Sequence, residues 1–439
     1  MPEIKIYVQP LFELLKKTEL KNLIILVSAM MCMSGSKTML NISRWSEISY
    51  KTVERFYNST MPWLEANIIL IMLNMLKTRE LILAGDETTV TKSGKKTYGL
   101  DYFFNSIYQK TMKSLCFAGI SLIDVEKNRA YPLMMKQLVF TPEEKENLQQ
   151  QKEKRKKAKG GKRGRKKGTK NNPKTKELPP TFRLLKNQIC DVLSKLNGRI
   201  IIKYFVGDGG YGNSTCANIC KELSLDLVSK LQHNAALYFP YNGVYSGRGR
   251  KRIYGEKINF HKLPEEYRCK TEFNEKDYTQ TKIYQFHCLN KEFKQKLNVV
   301  IIKKINFKTN KEAHIVFFST DLELNFQKII QFYSSRFQIE FNFRDAKEFW
   351  GLEDFMNVNE LPIQNAANLS FFMVNLSNIL LSDFRHFYQN PNLGIRDLIS
   401  FYRANKYIFE TLKLVAKFNP NFLLPDDYAI INSIGRIHV

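Results

Sequence analysis

The sequence predicts an α/β protein. A mixed sheet flanked by helices is interrupted by a β-rich insertion and carries helical regions at both ends. Three observations predict it. Short apolar runs at residues 81–84, 199–206 and 225–231 alternate with stretches whose apolar residues recur at helical spacing. Between residues 232 and 296 the runs shorten and Tyr, Phe, Gly, Lys and Arg dominate. Residues 1–79 and 361–417 have mainly helical patterning.

Taken in order, helices are expected at residues 11–17, 21–33 and 61–77. Between the last two, Ser49 is placed to cap a short helix carrying Lys51, Thr52, Arg55 and Tyr57. A short helix, a turn and a second helix with basic residues near its start has the layout of a DNA-reading helix-turn-helix, with Lys51 and Arg55 as contacts. An ordinary helical bundle produces the same pattern. Strands at 81–84, 113–124 and 129–136 then form a three-strand meander. Asp86 follows Gly85 at the end of the first, although a Gly-Asp pair also reads as a turn.

Residues 152–176 are low-complexity, with 14 Lys or Arg among 25 residues and one Glu. Like-charge repulsion and the lack of apolar residues predict disorder in isolation. Arg163 and Arg165 in this run are expected phosphate contacts, and the bland alternative is a tolerated surface loop. An amphipathic helix at 181–196 and a strand at 199–206 lead into Gly207-Asp208-Gly209-Gly210-Tyr211-Gly212, then a helix at 214–223. This order puts Asp208 at the carboxyl edge of a sheet, where glycines allow close approach. In the β-rich stretch, Tyr238, Phe239, Tyr241 and Tyr245 precede a basic run containing Arg248 and Arg250. Such a mixture suits base stacking and phosphate contact, and also plain antiparallel sheet. Strands at 297–305 and 313–319 return to one helix at 326–349.

That last helix is the most informative stretch. At 100° per residue, Arg336, Glu340, Arg344 and Lys347 all fall within roughly 80° of one another, beside Tyr333. One acid ringed by bases suits a metal-holding carboxylate beside a phosphate backbone. A salt-bridged solvent face is the competing reading. The spacing Tyr333-x2-Arg336-x3-Glu340-x6-Lys347 resembles the signature around the last acid of DDE transposases from bacterial insertion sequences. The Asp-Gly-Gly-Tyr run at 208–211 resembles the surroundings of that family's second aspartate. The resemblance covers roughly residues 80–350. It departs from the family in the large basic insertion and in having no Trp between Leu231 and Tyr333, where relatives can use an indole to hold a flipped base.

The resemblance implies an RNase H-like catalytic core. Its parts would be a helical DNA-binding region at 1–79, a first core segment at 80–231 with a basic insertion at 141–180, and a β-rich insertion at 232–296. The rest of the core would lie at 297–350, followed by a helical region at 351–439. It further implies that Asp86, Asp208 and Glu340 are catalytic and hold Mg²⁺ or Mn²⁺, two ions in all. Tyr333, Arg336, Arg344 and Lys347 would grip DNA. Two such ions, about 3.5–4 Å apart, serve in-line phosphodiester chemistry, and hard oxygen ligands suit them. The expected activity is cutting element ends and joining 3′-hydroxyls to target DNA, by a homodimer in the DNA complex. Two rivals stand beside it: an inactive DNA-binding descendant and a stand-alone metal-dependent nuclease.

Composition agrees with a polyanion partner. There are 68 Lys and Arg against 42 Asp and Glu among 439 residues, a net charge of +26. No apolar run is long enough to span a bilayer, and the start lacks a secretory-signal layout, so a cytoplasmic protein of the bacterial nucleoid is expected. The seven cysteines form no CxxC pair and read as reduced core residues.

Overall fold

The computed structural model describes residues 3–74, 80–105, 108–158, 177–196, 198–245, 247, 249–293 and 295–418. The chain opens with helices α1 (Ile4–Val8), α2 (Lys17–Cys32), α3 (Met39–Arg44), α4 (Tyr50–Tyr57) and α5 (Trp63–Asn74). The helix expected at 11–17 does not form. Gln9–Glu13 is a 3₁₀ turn with Pro10 in its first turn, and α2 starts at Lys17. Thr38 caps α3, and Ser49 caps α4 by accepting from Thr52 N, as the sequence predicts.

Strand β1 (Leu81–Thr91) is more than twice as long as its apolar run, because Thr88, Thr89, Val90 and Thr91 continue it with β-branched side chains. Asp86 therefore lies inside a strand, not at its end or in a turn. Next come β2 (Asp101–Asn105), which the sequence analysis missed, β3 (Lys110–Asp124) and β4 (Arg129–Leu138). Helices α6 (Pro142–Ala158) and α7 (Pro180–Leu196) precede β5 (Tyr204–Gly207), which is only four residues long. Residues 199–203, expected in that strand, lie outside it. Helix α8 (Ser214–Glu222) and β6 (Asp226–Leu231) follow.

The β-rich stretch contributes β7 (Leu237–Pro240), β8 (Tyr254–Lys257), β9 (Arg268–Asn274) and β10 (Thr279–Asn290). Then come β11 (Lys296–Asn306), β12 (Lys311–Ser319), α9 (Phe326–Arg336), α10 (Gln338–Glu348), α11 (Glu360–Phe387) and α12 (Ile395–Phe418). The single helix expected at 326–349 is thus two helices meeting at Phe337. There the backbone makes tighter i→i−3 bonds, Phe337 N to Ser334 O at 3.2 Å and Glu340 N to Phe337 O at 3.1 Å.

Among the described residues, twelve strands form one sheet ordered β2-β3-β1-β5-β6-β12-β11-β10-β7-β8, with β4 beside β3 and β9 beside β10. The β1–β5 and β5–β6 pairs are parallel, and β6–β12 is antiparallel. The sheet is therefore mixed, with helices packed on it, as the sequence predicts. It runs without interruption from β6 through β12 and β11 into the β-rich stretch, since β10 pairs along its length with β11.

Helix α11 ties the N-terminal helices to this sheet with buried amides. Asn368 Oδ1 accepts from Met135 N of β4 at 2.9 Å and its Nδ2 donates to Met135 O at 3.0 Å. Asn375 Nδ2 donates to Pro132 O and to Asn67 Oδ1 of α5, both at 2.8 Å. Asn365 Oδ1 accepts from Trp63 Nε1, and its Nδ2 donates to the carbonyls of Tyr57 and Ser59. Asn368 and Asn375 satisfy backbone groups at the free edge of β4, and Asn365 those at and just after the end of α4, which burial would otherwise leave unpaired.

No described helix is long and apolar enough to cross a membrane. All seven cysteines are free. Cys190 and Cys269 are exposed, so the expectation that every cysteine is a core residue fails for these two.

Candidate active site

Two adjacent parallel strands begin the site. Gly85 of β1 and Gly207 of β5 are register partners, so Asp86 and Asp208, the next residue on each chain, leave the pair side by side. Gly207 is required by packing, because a Cβ there would stand 2.5 Å from the Tyr211 Cβ. Asp208 is held by its own turn: its Oδ1 accepts from Gly210 N at 2.8 Å and Tyr211 N at 3.3 Å. The Ser229 hydroxyl on β6 lies 3.0 Å from Gly207 O and 2.7 Å from Asp208 O, steadying the backbone beneath.

The third acid comes from above. Gly119 of β3 lies directly across from Asp86. A Cβ on Gly119 would stand 2.8 Å from the Phe343 ring, so only glycine lets α10 settle this closely. Asn342 adds a hydrogen bond from Nδ2 to Ser121 Oγ at 3.2 Å. Phe343 and Asn342 are within one helical turn of Glu340, and their docking sets Glu340 over β1.

Arg336 joins the acids. Its Nη1 donates to Asp86 Oδ2 at 3.0 Å and its Nη2 to Glu340 Oε1 at 3.1 Å. The residue is only 9% exposed, and its Nε finds no hydrogen-bond partner among the described residues. Burial would lower its pKa, but Asp86, Tyr333 and Glu340 outweigh this and raise it. Burial also pushes the Asp86 carboxyl up to about 6, and nearby Asp208 and Glu340 add to the rise, against the Glu87 amide and Arg336. Negative charge is thus crowded in a poorly solvated spot, and one guanidinium does not fully compensate it.

Tyr333 and Lys347 flank this centre. The Tyr333 ring packs on Phe317 of β12 at 4.6 Å between centroids, with the Arg336 guanidinium 5.7 Å from it. Lys347 Nζ donates to Thr89 O of β1 at 2.9 Å and pairs with Glu353 at 3.1 Å. Arg344 does not join them. It bonds Asp345, stacks its guanidinium 4.7 Å over Phe341 and lines a different cavity. The helical-wheel estimate therefore fails for Arg344, because its long side chain finds a nearer carboxylate. Glu87 points to the opposite face of β1, where it accepts from Tyr211 OH at 3.2 Å.

The other expected DNA contacts lie on separate surfaces. Lys51 is exposed on α4 and pairs with Glu54 at 3.0 Å, and Arg55 is exposed on the same helix. Arg250 is exposed, while Arg163, Arg165 and Arg248 lie outside the described residues. Helix α6 extends into the start of the basic run, to Ala158. Several aromatics of the β-rich stretch form internal packing instead of an open stacking surface: Phe239, Tyr267 and Phe286 contact one another at 5.4–5.6 Å. Gly119, Phe343 and Ser229 went unnoticed in the sequence. A lone glycine inside the apolar run Leu115–Ile123 was the available signal for the first of them.

The three acids supply the hard oxygen donors that a divalent cation needs. Among the described residues, however, no three acidic, His or Cys side chains are arranged to ligate one ion as they stand. The reason is visible at Arg336, whose cationic fork occupies the space between Asp86 and Glu340 that a metal charge would take. The donor chemistry and the uncompensated charge at Asp86 fit a cation, provided the guanidinium gives way.

The sequence pattern of the family described as DDE superfamily endonuclease matches residues 10–287. No curated protein matches the chain.

Proposed function

The chain belongs to the DDE superfamily endonucleases, and from that premise we propose that it is the transposase of a bacterial insertion sequence. It would cut DNA at the element ends and join the freed 3′-hydroxyls to target DNA. The observation that carries this reading is the meeting of Asp86 and Glu340 on the two arms of Arg336, with Asp208 one strand away. The Tyr333, Arg336, Glu340 and Lys347 spacing adds to it, since the matched pattern ends before that helix.

In this reading Asp86, Asp208 and Glu340 hold the divalent cations that the family generally uses. Such ions activate the attacking oxygen and stabilise the leaving one. The residues of the chain do the rest. Asp208 stays fixed by its turn, and the Gly119–Phe343 contact holds Glu340 at the depth of Asp86. Arg336 partly offsets the charge of Asp86 and Glu340 in the free protein. On binding it would release them and donate instead to phosphate oxygens, which suit its fork equally well. Lys347, fastened to the backbone of β1, sets a second positive charge beside the scissile strand. Lys51, Arg55 and Arg250 would contact DNA away from the cut. Two protomers would act on two ends.

The test is Mg²⁺-dependent cleavage and strand joining on DNA carrying the flanking element ends. Broken strands that end in 3′-hydroxyls and reappear joined to target support the transposase. Cleavage without joining would leave a stand-alone nuclease, and end binding without cleavage an inactive descendant.

A further inference from the structure

A second basic site lies one helical turn beyond Glu340. A cavity of about 980 Å³ opens among β4, α10, α11 and α12, and four guanidiniums from those four elements line it: Arg129, Arg344, Arg385 and Arg396. None of Asp86, Asp208, Arg336 or Glu340 lines it. Two acids, Asp345 and Asp397, are also in the lining. Asp345 is taken by Arg344 at 3.0 Å, and Asp397 accepts from Gly394 N at 2.7 Å. Arg396 pairs outward with Glu348, and Arg385 Nε donates to Leu393 O at 2.7 Å. Arg129 has no carboxylate within ion-pair distance among the described residues. Burial lowers its pKa, and so does the like charge of Arg385 nearby, against smaller opposing effects of Tyr131 and Asp345.

A half-buried guanidinium such as Arg129, with the exposed Arg385 charge near it, is destabilised unless an anion offsets the like charges. Arginine forks brought in from four elements match the oxygens of a tetrahedral anion better than they match each other. The α12 N-terminus adds little, because Asp397 already caps it.

We propose that this cavity binds a phosphodiester of the bound DNA at a position other than the one being cut, with Arg129 and Arg385 as its principal contacts. The inference rests on the reading of the chain as a DNA-binding endonuclease. Two observations favour DNA over a small soluble phosphate. The cavity shares α10 with the candidate active site, so one duplex can reach both. The whole chain also carries a charge of +26 suited to a long polyanion.

The experiment compares the full chain with Arg129→Gln, Arg385→Gln and a surface control, Lys186→Gln. It reads duplex affinity against salt, thermal stability with and without inorganic phosphate, and Mg²⁺-dependent cleavage at saturating DNA. One phosphate contact contributes a slope of about −0.9 in log affinity against log salt, or a factor of roughly three to four over a fourfold salt change. Each arginine variant should lose about that slope, while the control keeps it and cleavage at saturation persists. In the absence of any anion, Arg385→Gln should melt no lower than the parent, because it removes repulsion at Arg129. A purely structural cluster would melt lower.

Unchanged slopes in both variants, with the parent binding DNA normally, would overturn the proposal. So would variants that lose stabilisation by inorganic phosphate but keep the parent slope, since the site would then serve a small anion. If Arg129→Gln does not fold, the exposed Arg385 and Arg396, each changed to Gln, carry the test. A parent that binds no duplex would instead refute the DNA reading on which the inference rests.

Discussion

Arg336 donates a hydrogen bond to Asp86 at 3.0 Å across 250 residues of sequence, from the end of α9 to the middle of β1. Its other arm reaches Glu340 at 3.1 Å. The contact makes Arg336 an internal counter-charge for two carboxylates. Changing Arg336 to Ala should destabilise the cation-free protein by about 1–3 kcal/mol, because a buried polar partner is left unsatisfied and two acids then face each other. The same change should enlarge the stabilisation by Mg²⁺, as the ion no longer competes with a guanidinium. Melting with and without Mg²⁺ measures both. An Arg336→Ala protein with unaltered melting and unaltered Mg²⁺ response would show that the bridge carries no weight.

Replacing Glu340 with Gln, or Asp208 with Asn, removes a negative charge while keeping the shape. Each should abolish Mg²⁺-dependent cleavage and leave DNA binding equal or stronger, since one fewer carboxylate repels phosphate. Gel-shift and cleavage assays on the same DNA separate the two. Near-normal cleavage by Glu340→Gln would remove this acid from the chemistry.

The pH dependence follows from Asp86, whose pKa burial raises from about 3.8 to about 6. Between those values the folded protein binds more protons than the unfolded chain, so Asp86 contributes stability at low pH that is lost as pH rises through about 6. Asp86→Asn should therefore stabilise the cation-free protein at pH 8 by roughly 1–3 kcal/mol and give little change at pH 4. Cleavage by the parent should rise as pH passes about 6, where the carboxylate becomes available to a cation. Urea melts at the two pH values check the first point. A variant less stable than the parent at pH 8 would contradict it.

Gly119 is the place where helix α10 touches the sheet. Gly119→Ala puts a methyl 2.8 Å from the Phe343 ring and should cost about 1–3 kcal/mol while lowering cleavage, because Glu340 rides on the displaced helix. Phe343→Leu in the same chain should restore part of both. Loss of stability without any loss of cleavage would mean that Glu340 does not depend on this contact.

Much of this protein could be read from local pattern. The cap at Ser49, the turn at 207–212 and the strands β3, β6, β11 and β12 follow from short-range chemistry that neighbours in sequence decide. The spacing of Arg336 and Glu340 is of the same kind, because an i,i+4 pair meets on any helix, even one with a tightened turn at Phe337. Other features depend on residues far apart. Asp86 lies within a strand and not at its end because β3 pairs with β1 all the way to Thr91, past Gly85 where β5 stops, which no window around residue 86 reveals. The loss of Arg344 from the common face came from a competing carboxylate, and the gathering of Arg129, Arg385 and Arg396 around it came from the packing of β4, α11 and α12. Local sequence determined which elements form and which acids they carry. The tertiary structure decided which charges share a space, because that depends on burial and on distances the chain sets only once it is folded.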